Sequence, residues 1–252
     1  MLNLTKLKVS INNKDLLDID ELTIFEGELF TVLGKNGAGK STLFNSISGD
    51  IACTGQRFFH QKCIKHWPKN ILAKHLAVLP QNSQLSFPFS VQEVASLGLI
   101  PLDINQRQGR LLVKQTLELT DTLRFSRRPY LSLSGGERQR VHLARVLVQL
   151  SQAEQAPLLL LDEPTSAQDL AQQHQLLELT KSLCIQKNYA ALVILHDLNL
   201  SVRYSDRVGI IESGSFAHVG PPKQLLTPDI IEQQWGYRPQ TVKTETGLHA
   251  LI

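Results

Sequence analysis

The 252-residue sequence has few cysteines, little net charge and no long apolar run. Its three cysteines are odd in number and form no CxxC pair, which excludes a disulfide-rich secreted domain and favours a reduced, cytosolic location. The formal net charge of +3 is too small to indicate binding to nucleic acid or to a membrane surface through charge alone. No stretch approaches the roughly 18 apolar residues that a membrane-spanning helix needs. The N-terminus also lacks the apolar segment of a secretory signal.

The remaining composition is that of a globular protein. Hydrophobic residues make up 42% of the chain and charged residues 19%, which are ordinary values for such a protein. The length allows one large domain, or a core with a smaller inserted domain, and is sufficient to bury a substantial apolar core. No internal repeat or long low-complexity tract is present in the sequence.

Glycine is concentrated in one short segment, VLGKNGAGKSTL, at residues 32–43. Residues 28–34 before the glycines predict a strand, and residues 40–49 predict a helix that ends at Gly49. The residues between them fit G-x-x-x-x-G-K-[ST], a loop in which positive-φ glycines let successive backbone N–H groups converge on one phosphate. We predict a nucleoside triphosphate site, with Lys40 on the β- and γ-phosphates and the Ser41 hydroxyl on Mg²⁺. The predicted nucleotide contacts are Gly34, Lys35, Asn36, Gly37, Ala38, Gly39, Lys40, Ser41 and Thr42.

A second segment, APLLLLDEPTS at residues 156–166, is an apolar run that ends in two acids. Its leucines are typical of a central parallel strand that is covered on both faces, and the carboxyl end of such a strand is where α/β sheets bind ligands. We predict that Asp162 holds Mg²⁺ through water and that Glu163 polarises the water that attacks the γ-phosphate. The alternative is a buried strand that happens to end in acids, and the phosphate-binding loop argues against it.

The third segment, LSLSGGERQRVHLARVL at residues 131–147, predicts a capped amphipathic helix. Ser134 is a favourable N-cap, and Gly135 and Gly136 expose backbone N–H groups at the start of the helix. The segment would be a second anion site on the same chain. A capped surface helix without a ligand is the alternative.

Together these segments resemble the ATP-binding subunit of an ABC transporter over nearly the whole chain. Residues 133–137 are similar to the LSGGE signature of that family, and the segments PTSAQD and ALVILHD are similar to its D-loop and switch strand. The resemblance implies that Gln81 touches Mg²⁺ and reports on a transmembrane partner, and that His196 contacts the γ-phosphate. The implied site residues are Gln81, Glu163 and His196 for catalysis, Ser41, Gln81 and Asp162 for Mg²⁺, and Ser134, Gly135, Gly136 and Asp169 as further nucleotide contacts.

The same resemblance implies a fold and an assembly. The fold is α/β, a P-loop NTPase (RecA-like) core with an antiparallel β subdomain and an inserted α-helical subdomain. We expect one ABC ATPase domain over residues 1–252, with residues 1–81 and 157–220 as the nucleotide-binding core, residues 82–150 as the helical subdomain and residues 221–252 as a short helical closure. ATP and Mg²⁺ are the implied cofactors. Two copies would pack head to tail, so that the loop at residues 34–41 of one copy faces Ser134 and Gly136 of the other.

The implied partners are a second ATPase subunit, a transmembrane permease dimer and, through the permease, a periplasmic haem-binding protein, but no nucleic acid. The implied location is the cytoplasmic face of the bacterial inner membrane, as a peripheral protein.

The cargo is indicated by LSFPFSVQEV, residues 85–94, which is similar to the corresponding stretch of haem importer ATPases. The polar link at residues 151–157 also fits them better than their ferric-siderophore or cobalamin relatives, which remain the alternative. ATP subunits do not usually contact cargo, so packing of Phe87, Pro88 and Phe89 against the permease, whatever it carries, is the alternative explanation of the stretch.

The sequence departs from the family pattern at two places. The segment VSINNKD, residues 9–15, lacks the aromatic residue that often stacks on adenine, which leaves Ile11 or Lys14 to cover the base. Gln168 replaces the leucine of the usual SALD D-loop, a change that we expect to alter dimer packing, while Asp169 is kept.

Three further readings are weaker. A non-transport ABC ATPase that acts in DNA repair or on ribosomes is disfavoured because the chain has one cassette and no sustained heptads. A nucleotide-binding module that only assembles is disfavoured by the intact Lys40, Asp162, Glu163 and His196. A metal or haem site within CTGQRFFHQKCIKHW, residues 53–67, is disfavoured because the spacing matches no common zinc pattern and strand alternation would scatter the ligands.

Overall fold

The computed structural model describes residues 1–12, 14–81, 85, 87–243 and 249–251 of the chain. Its helices and strands are, in chain order, β1 Leu2–Ile11, β2 Lys14–Ile24, β3 Leu29–Leu33, α1 Lys40–Ser48, β4 Thr54–Phe59, β5 Lys62–Cys63, α2 Lys69–His75, β6 Leu76–Leu79, α3 Val91–Ser96, α4 Gln106–Leu119, α5 Gly135–Gln149, β7 Leu158–Leu161, α6 Leu170–Lys187, β8 Ala190–Ile194, α7 Leu198–Tyr204, β9 Arg207–Glu212, β10 Ser215–Gly220, α8 Pro222–Leu225, α9 Pro228–Trp235, β11 Thr241–Lys243 and β12 His249–Leu251.

The chain divides into two compact units. The first unit is formed by Met1–His66 and Leu177–Ile252, and the second by Trp67–Leu176. The second unit is therefore longer at both ends than the helical subdomain expected at residues 82–150, and the partition of the chain into core, helical subdomain and closure stays a prediction. None of the helices in the described part of the chain has the length and apolar content that crossing a membrane requires.

The first unit contains an antiparallel sheet in the order β2-β1-β4-β5. Strand β1 buries Leu2 and Leu4, and then Leu7 and Val9, on the same face. A strict alternation would break between Leu4 and Leu7, but Lys6 has a φ of +49°, and the register against β4 shifts between Thr5 and Lys8. This bulge returns the apolar side chains to the buried face.

The first unit also contains four neighbouring strands in the order β10-β9-β3-β8. Strand β3 runs parallel to both β8 and β9, whereas β10 is antiparallel to β9. Every residue of β3 and of β8 is buried, as expected for parallel strands covered on both faces. The predicted strand before the glycine-rich loop and the helix after it are confirmed, and Gly49 ends α1 in the left-handed conformation with a φ of +91°.

The second unit combines a parallel strand pair, β6 and β7, with a helical core. That core is built mainly by α3, α4 and α5 around buried Val91, Val113, Val141 and Tyr130. Both α3 and α5 begin with a capping box, Ser90 with Glu93 and Ser134 with Glu137, in which each serine and glutamate bonds the backbone of the other. The capped amphipathic helix predicted behind Ser134 is thereby confirmed.

The C-terminal segment of the first unit contains more than the short helical closure that its sequence indicates. The two short helices are present as α8 and α9, each with a proline in its first turn. In addition, β11 and β12 pair antiparallel, with Thr241 opposite Leu251. Strands of three residues are too short to show a clear alternation, which is why the sequence gives no sign of them.

Candidate functional site

The glycine-rich loop connects β3 to α1 and depends on glycine at two positions. Gly34 has a φ of +148°, and a Cβ there would collide with the backbone carbonyl of Ile211. Gly39 has a φ of +110°, and a Cβ there would lie 2.9 Å from the carbonyl oxygen of Leu16. Gly39 is also the N-cap of α1, so the helix starts without a side-chain cap and without an acid in its first turn. The N–H groups of that turn are therefore left for an external anion.

Lys40 lies inside this loop. Its side chain is only 6% exposed, and its Nζ donates hydrogen bonds to the carbonyl oxygens of Gly34 at 2.8 Å and Lys35 at 3.0 Å. The amide of Ala38 bonds back to the Lys35 carbonyl at 3.2 Å, which closes the turn. The ammonium group is thus held among backbone carbonyls beside exposed residues 35–37, where it can meet a phosphate. Ser41 is exposed and Thr42 is half-buried at the start of α1.

The first unit also carries the predicted switch histidine. His196 is exposed and follows β8 by two residues, at the carboxyl end of a buried parallel strand. The next residue, Asp197, caps α7 by accepting hydrogen bonds from the amides of Asn199 at 2.7 Å and Leu200 at 3.0 Å. This cap holds the backbone beside His196 in a defined turn.

The two acids and the Q-loop glutamine come together in the second unit. Asp162 follows β7, and its amide donates to the Leu79 carbonyl at 2.9 Å. Glu163 has a φ of +48° and is half-buried. The side-chain amide of Gln81 donates from Nε2 to Oε2 of Glu163 at 2.6 Å. The predicted base and the predicted Q-loop residue therefore touch, although they are 82 residues apart in the sequence.

The signature segment caps its own helix. The Ser134 amide donates to Oε2 of Glu137 at 2.8 Å, and the Glu137 amide donates to Oγ of Ser134 at 3.3 Å. The bond from the Ser134 amide is the main reason why the pKa of Glu137 lies below its ordinary value. Gly135 is exposed, whereas Gly136 is buried, and a Cβ on Gly136 would lie 2.9 Å from the Ala167 carbonyl. Glycine is needed at position 136 because α5 approaches the D-loop backbone there.

The D-loop acid also has a structural role. Oδ1 of Asp169 accepts a hydrogen bond from the amide of Gln172 at 2.9 Å, which caps the first turn of α6. Its neighbour Gln168 is buried, and Gln168 Nε2 lies 3.4 Å from Oε1 of Gln139 on α5. Gln139 was not singled out from the sequence. The signal that could have found it is a polar residue on the buried stripe of the amphipathic helix that follows Ser134.

The donor set suits Mg²⁺. Magnesium ions prefer oxygen ligands in proteins, and the three predicted ligands offer a hydroxyl at Ser41, a carboxylate at Asp162 and an amide oxygen at Gln81. Because Nε2 of Gln81 donates to Glu163, its Oε1 is the atom of that amide that remains available to a cation. The chemistry of these groups therefore fits the ion that the sequence implies.

Several other predicted features have defined positions. Ile11 and Lys14 lie opposite each other at the tip of the β1–β2 hairpin, both exposed, so the choice between them for covering adenine stays open. In residues 85–94, Ser86 lies outside the described residues, and Phe87 is 68% exposed with its ring centroid 6.1 Å from that of Phe89. Over the described ranges, no cluster of three or more His, Cys, Asp or Glu side chains is arranged to hold a metal ion.

Comparison with known proteins places this geometry in a family. Residues 17–166 match the family model described as ABC transporter. The chain is 47% identical over 253 residues to the hemin import ATP-binding protein HmuV of Shewanella denitrificans, over the full length of both chains. It is 44% identical to the hemin import ATP-binding protein HmuV of Vibrio cholerae, over 92% of this chain and 90% of that protein.

Solved structures share the fold. The chain matches cbiO1 from Clostridium perfringens, part of the ABC transporter complex cbiONQ, with a TM-score of 0.78 and 26% identity over 93% of this chain and 95% of that one. It also matches a dimeric ATP-binding cassette in a post-hydrolysis state bound to ADP and phosphate, with a TM-score of 0.77 and 24% identity over 88% and 99% of the two chains. The predicted P-loop NTPase fold and ATPase class are thereby confirmed, and the chain belongs to the ABC transporter family, as one of its ATP-hydrolysing, ATP-binding proteins.

Proposed function

We propose that this chain is the ATP-hydrolysing subunit of an ABC importer that energises haem (hemin) uptake across the cytoplasmic membrane. The observation that carries the motor function is the combination of a phosphate-binding loop around Lys40 with the contact between Gln81 and Glu163. The observation that carries the cargo is the 47% identity, over the full length of both chains, to a protein named for hemin import. Ferric-siderophore or cobalamin import is the alternative.

The first unit supplies the phosphate contacts. The N–H groups of residues 34–42 converge on the triphosphate, and the N-terminus of α1 adds a partial positive charge. Lys40 neutralises the β- and γ-phosphates by donating charge-assisted hydrogen bonds. His196 contacts the γ-phosphate. Because a serine rather than an acid follows Lys40, no negative side chain in the first turn opposes the phosphate.

The second unit supplies the group that acts on water. Oε2 of Glu163 is held by the Gln81 amide, so the carboxylate has a defined orientation. In that orientation the carboxylate polarises the attacking water and accepts its proton. Asp162, together with Ser41 and Gln81, would hold Mg²⁺, which when bound neutralises charge on the phosphate oxygens.

Transport requires the nucleotide to favour one arrangement of two copies. The N-terminal groups of α5, Ser134 to Gly136, would contact the ATP held by the loop of the second copy, with Asp169 beside them. ATP then binds the closed dimer more tightly than the open one, and hydrolysis releases that preference. The proposed partners are a permease dimer and, through it, a periplasmic haem-binding protein. The proposed location is the cytoplasmic face of the inner membrane.

Transport by the reconstituted complex tests the proposal. The chain would be placed in liposomes with its proposed permease and binding protein, and ATP-dependent uptake of haem, cobalamin and a ferric siderophore would be compared. We expect selective haem uptake that Glu163→Gln abolishes. Uptake of another ligand would retain the motor and refute haem as the cargo. ATP hydrolysis without uptake of any ligand would contradict the transport function.

A further inference from the structure

The backbone at Glu163 is held in an uncommon conformation by several donors. Its φ of +48° lies in the left-handed region, which is unfavourable for a residue with a Cβ and persists only where neighbouring groups hold it. The carbonyl oxygen of Glu163 accepts hydrogen bonds from Nε2 of Gln139 at 3.2 Å and from Oγ of Ser166 at 3.0 Å. The Ser166 amide is a third donor at 3.2 Å. One peptide group therefore receives three hydrogen bonds, two residues after the end of the buried strand β7.

The direction of these bonds is determined by chemistry. A carbonyl oxygen can only accept, so Gln139 must turn its NH₂ group towards Glu163. The oxygen of the Gln139 amide then faces Gln168, which must donate from its own Nε2, at 3.4 Å. Both glutamines are buried, with 7% and 8% of their surface exposed, so water does not compete freely for these groups. The result is a relay from the D-loop through α5 to the peptide of Glu163.

The far end of the relay is anchored as well. Nε2 of Gln173 on α6 donates to the backbone carbonyls of Gln168 at 3.0 Å and Thr165 at 3.2 Å. Residues 162–169 contain no helix or strand, so amide side chains from the two flanking helices hold this loop. A substitution in the relay would therefore change the loop at residues 162–169.

The side-chain oxygen of Gln168 indicates that this residue has a role besides stabilising the fold. Its Oε1 is buried and has no hydrogen-bond partner among the described residues. A buried amide oxygen without a partner is destabilising, and an apolar residue of similar size at that position would avoid the cost. A polar residue that lowers stability is expected where it supports function.

We propose that Gln139 and Gln168 are positioning residues that set the direction of the Glu163 carboxylate through its backbone. The inference rests on the proposed role of Glu163 as the residue that polarises water. The φ angle of Glu163 determines where its Cα–Cβ bond points, and the contact between its Oε2 and Gln81 depends on that direction. Without the relay, the Glu163 peptide relaxes towards a commoner conformation and the carboxylate leaves its hydrogen bond with Gln81.

The test compares Gln139→Met, Gln168→Leu and the double variant in the full-length chain. Turnover, the KM for ATP, the Kd for ATP by calorimetry and the thermal midpoint Tm are measured for each. We expect Gln139→Met to lower kcat about tenfold and Gln168→Leu about threefold, with KM and Kd within about twofold of wild type. The double variant is no slower than Gln139→Met alone, since both substitutions break one relay. Gln168→Leu has a Tm equal to or above that of wild type, because it removes the unbonded amide oxygen.

Gln149→Met is the matched control. Gln149 lies on the same helix, and its Nε2 likewise donates to backbone carbonyls, those of Ala73 at 2.8 Å and Leu76 at 3.2 Å. The control loses the same type of bond, so it lowers Tm like Gln139→Met but leaves kcat unchanged. A wild-type kcat in Gln139→Met, an equal fall of kcat in Gln149→Met, or additive effects in the double variant would overturn the relay.

Glu163→Gln, measured in parallel, separates the two proposals. If Glu163→Gln is inactive while Gln139→Met turns over like wild type, the relay is refuted and the role of Glu163 stands. If Glu163→Gln itself turns over at a near-normal rate, the role of Glu163 is refuted and the relay falls with it. Loss of turnover in Glu163→Gln together with the reduced kcat of Gln139→Met supports both.

Discussion

Helices α1 and α5 both begin at a glycine-rich turn, but they leave different groups for a ligand. The N-cap of α1 is Gly39, which has no side chain, and its first turn contains no acid. The N-cap of α5 is Ser134, which accepts a bond from the Glu137 amide, and Glu137 brings a carboxylate into the first turn. The first turn of α1 therefore presents N–H groups without a side-chain cap, beside a lysine. In α5, by contrast, the Ser134 side chain already accepts a hydrogen bond from one N–H group of the first turn.

This difference indicates how each helix can bind a phosphate. The α1 terminus has the positive partial charge of a helix start and the ammonium of Lys40, so it can hold a triphosphate within one chain. The α5 terminus has the same backbone groups, but the Glu137 carboxylate opposes an anion. We infer that α5 binds phosphate only when another copy presents it already neutralised. One chain alone would then bind ATP, whereas hydrolysis would require two chains.

The largest expected effect is a loss of ATP affinity when the loop before α1 is changed. Lys40→Ala should weaken ATP binding roughly 10- to 100-fold, because it removes the buried charged donor of the loop. Calorimetric titration of the isolated chain with ATP measures this directly. Lys223→Ala removes the same charge from an exposed position in the first unit and serves as the control. Equal ATP affinities of the two variants would refute the phosphate-binding role of Lys40.

The corresponding substitution on the α5 side should act on hydrolysis and spare binding. Ser134→Arg places a bulky side chain where the second copy would present its ATP, so turnover should fall to background while the Kd for ATP stays within about twofold of wild type. Ser151→Arg adds the same side chain to an exposed position after the other end of α5 and is the control. Weakened ATP binding by the isolated Ser134→Arg chain would show that α5 already takes part in binding within one copy.

A smaller effect separates capping from catalysis. Ser134→Ala and Ser90→Ala each remove the serine of a capping box, so each should lower the free energy of unfolding by about 1 kcal/mol in a denaturant titration. Only Ser134→Ala should also lower turnover, since only Ser134 is expected to meet a nucleotide. Equal turnover in both variants would reduce Ser134 to a structural cap.

The smallest expected effect is a dependence of stability on pH. Because the Ser134 amide lowers the folded-state pKa of Glu137 below its ordinary value of 4.5, Glu137 stabilises the fold above that pH. The contribution is lost as the pH falls through the lowered pKa. Unfolding of wild type and Glu137→Gln at pH 7 and pH 3 should show a difference below about 1 kcal/mol at pH 7 that shrinks at pH 3. A difference that grows on acidification would contradict this account of the cap.

The sequence predicts those parts of the site whose geometry is local. The loop around Lys40 lies within eight residues, and the spacing of its glycines is sufficient to predict the strand, the turn and the helix. The approach of Gln81 to Glu163 is less accessible, because it depends on β6 and β7 pairing in parallel with Leu79 opposite Leu161. The bond from Gln139 to the Glu163 carbonyl spans 24 residues and depends on a left-handed φ at Glu163, which the residue type does not announce. The bulge at Lys6 likewise depends on a left-handed φ that the residue type does not predict.

The most direct test of the division between α1 and α5 is a mixing experiment with two defective chains, at an ATP concentration too low for the Lys40→Ala loop to bind. Lys40→Ala has a defective loop and an intact α5, whereas Ser134→Arg has the reverse. If α5 acts on the ATP of the second copy, a mixed dimer contains one intact site, made from the loop of the Ser134→Arg chain and α5 of the Lys40→Ala chain. An equimolar mixture should then recover about a quarter of wild-type turnover, since half of the dimers are mixed and each has one of two sites. A mixture no more active than the two variants measured separately would contradict the account.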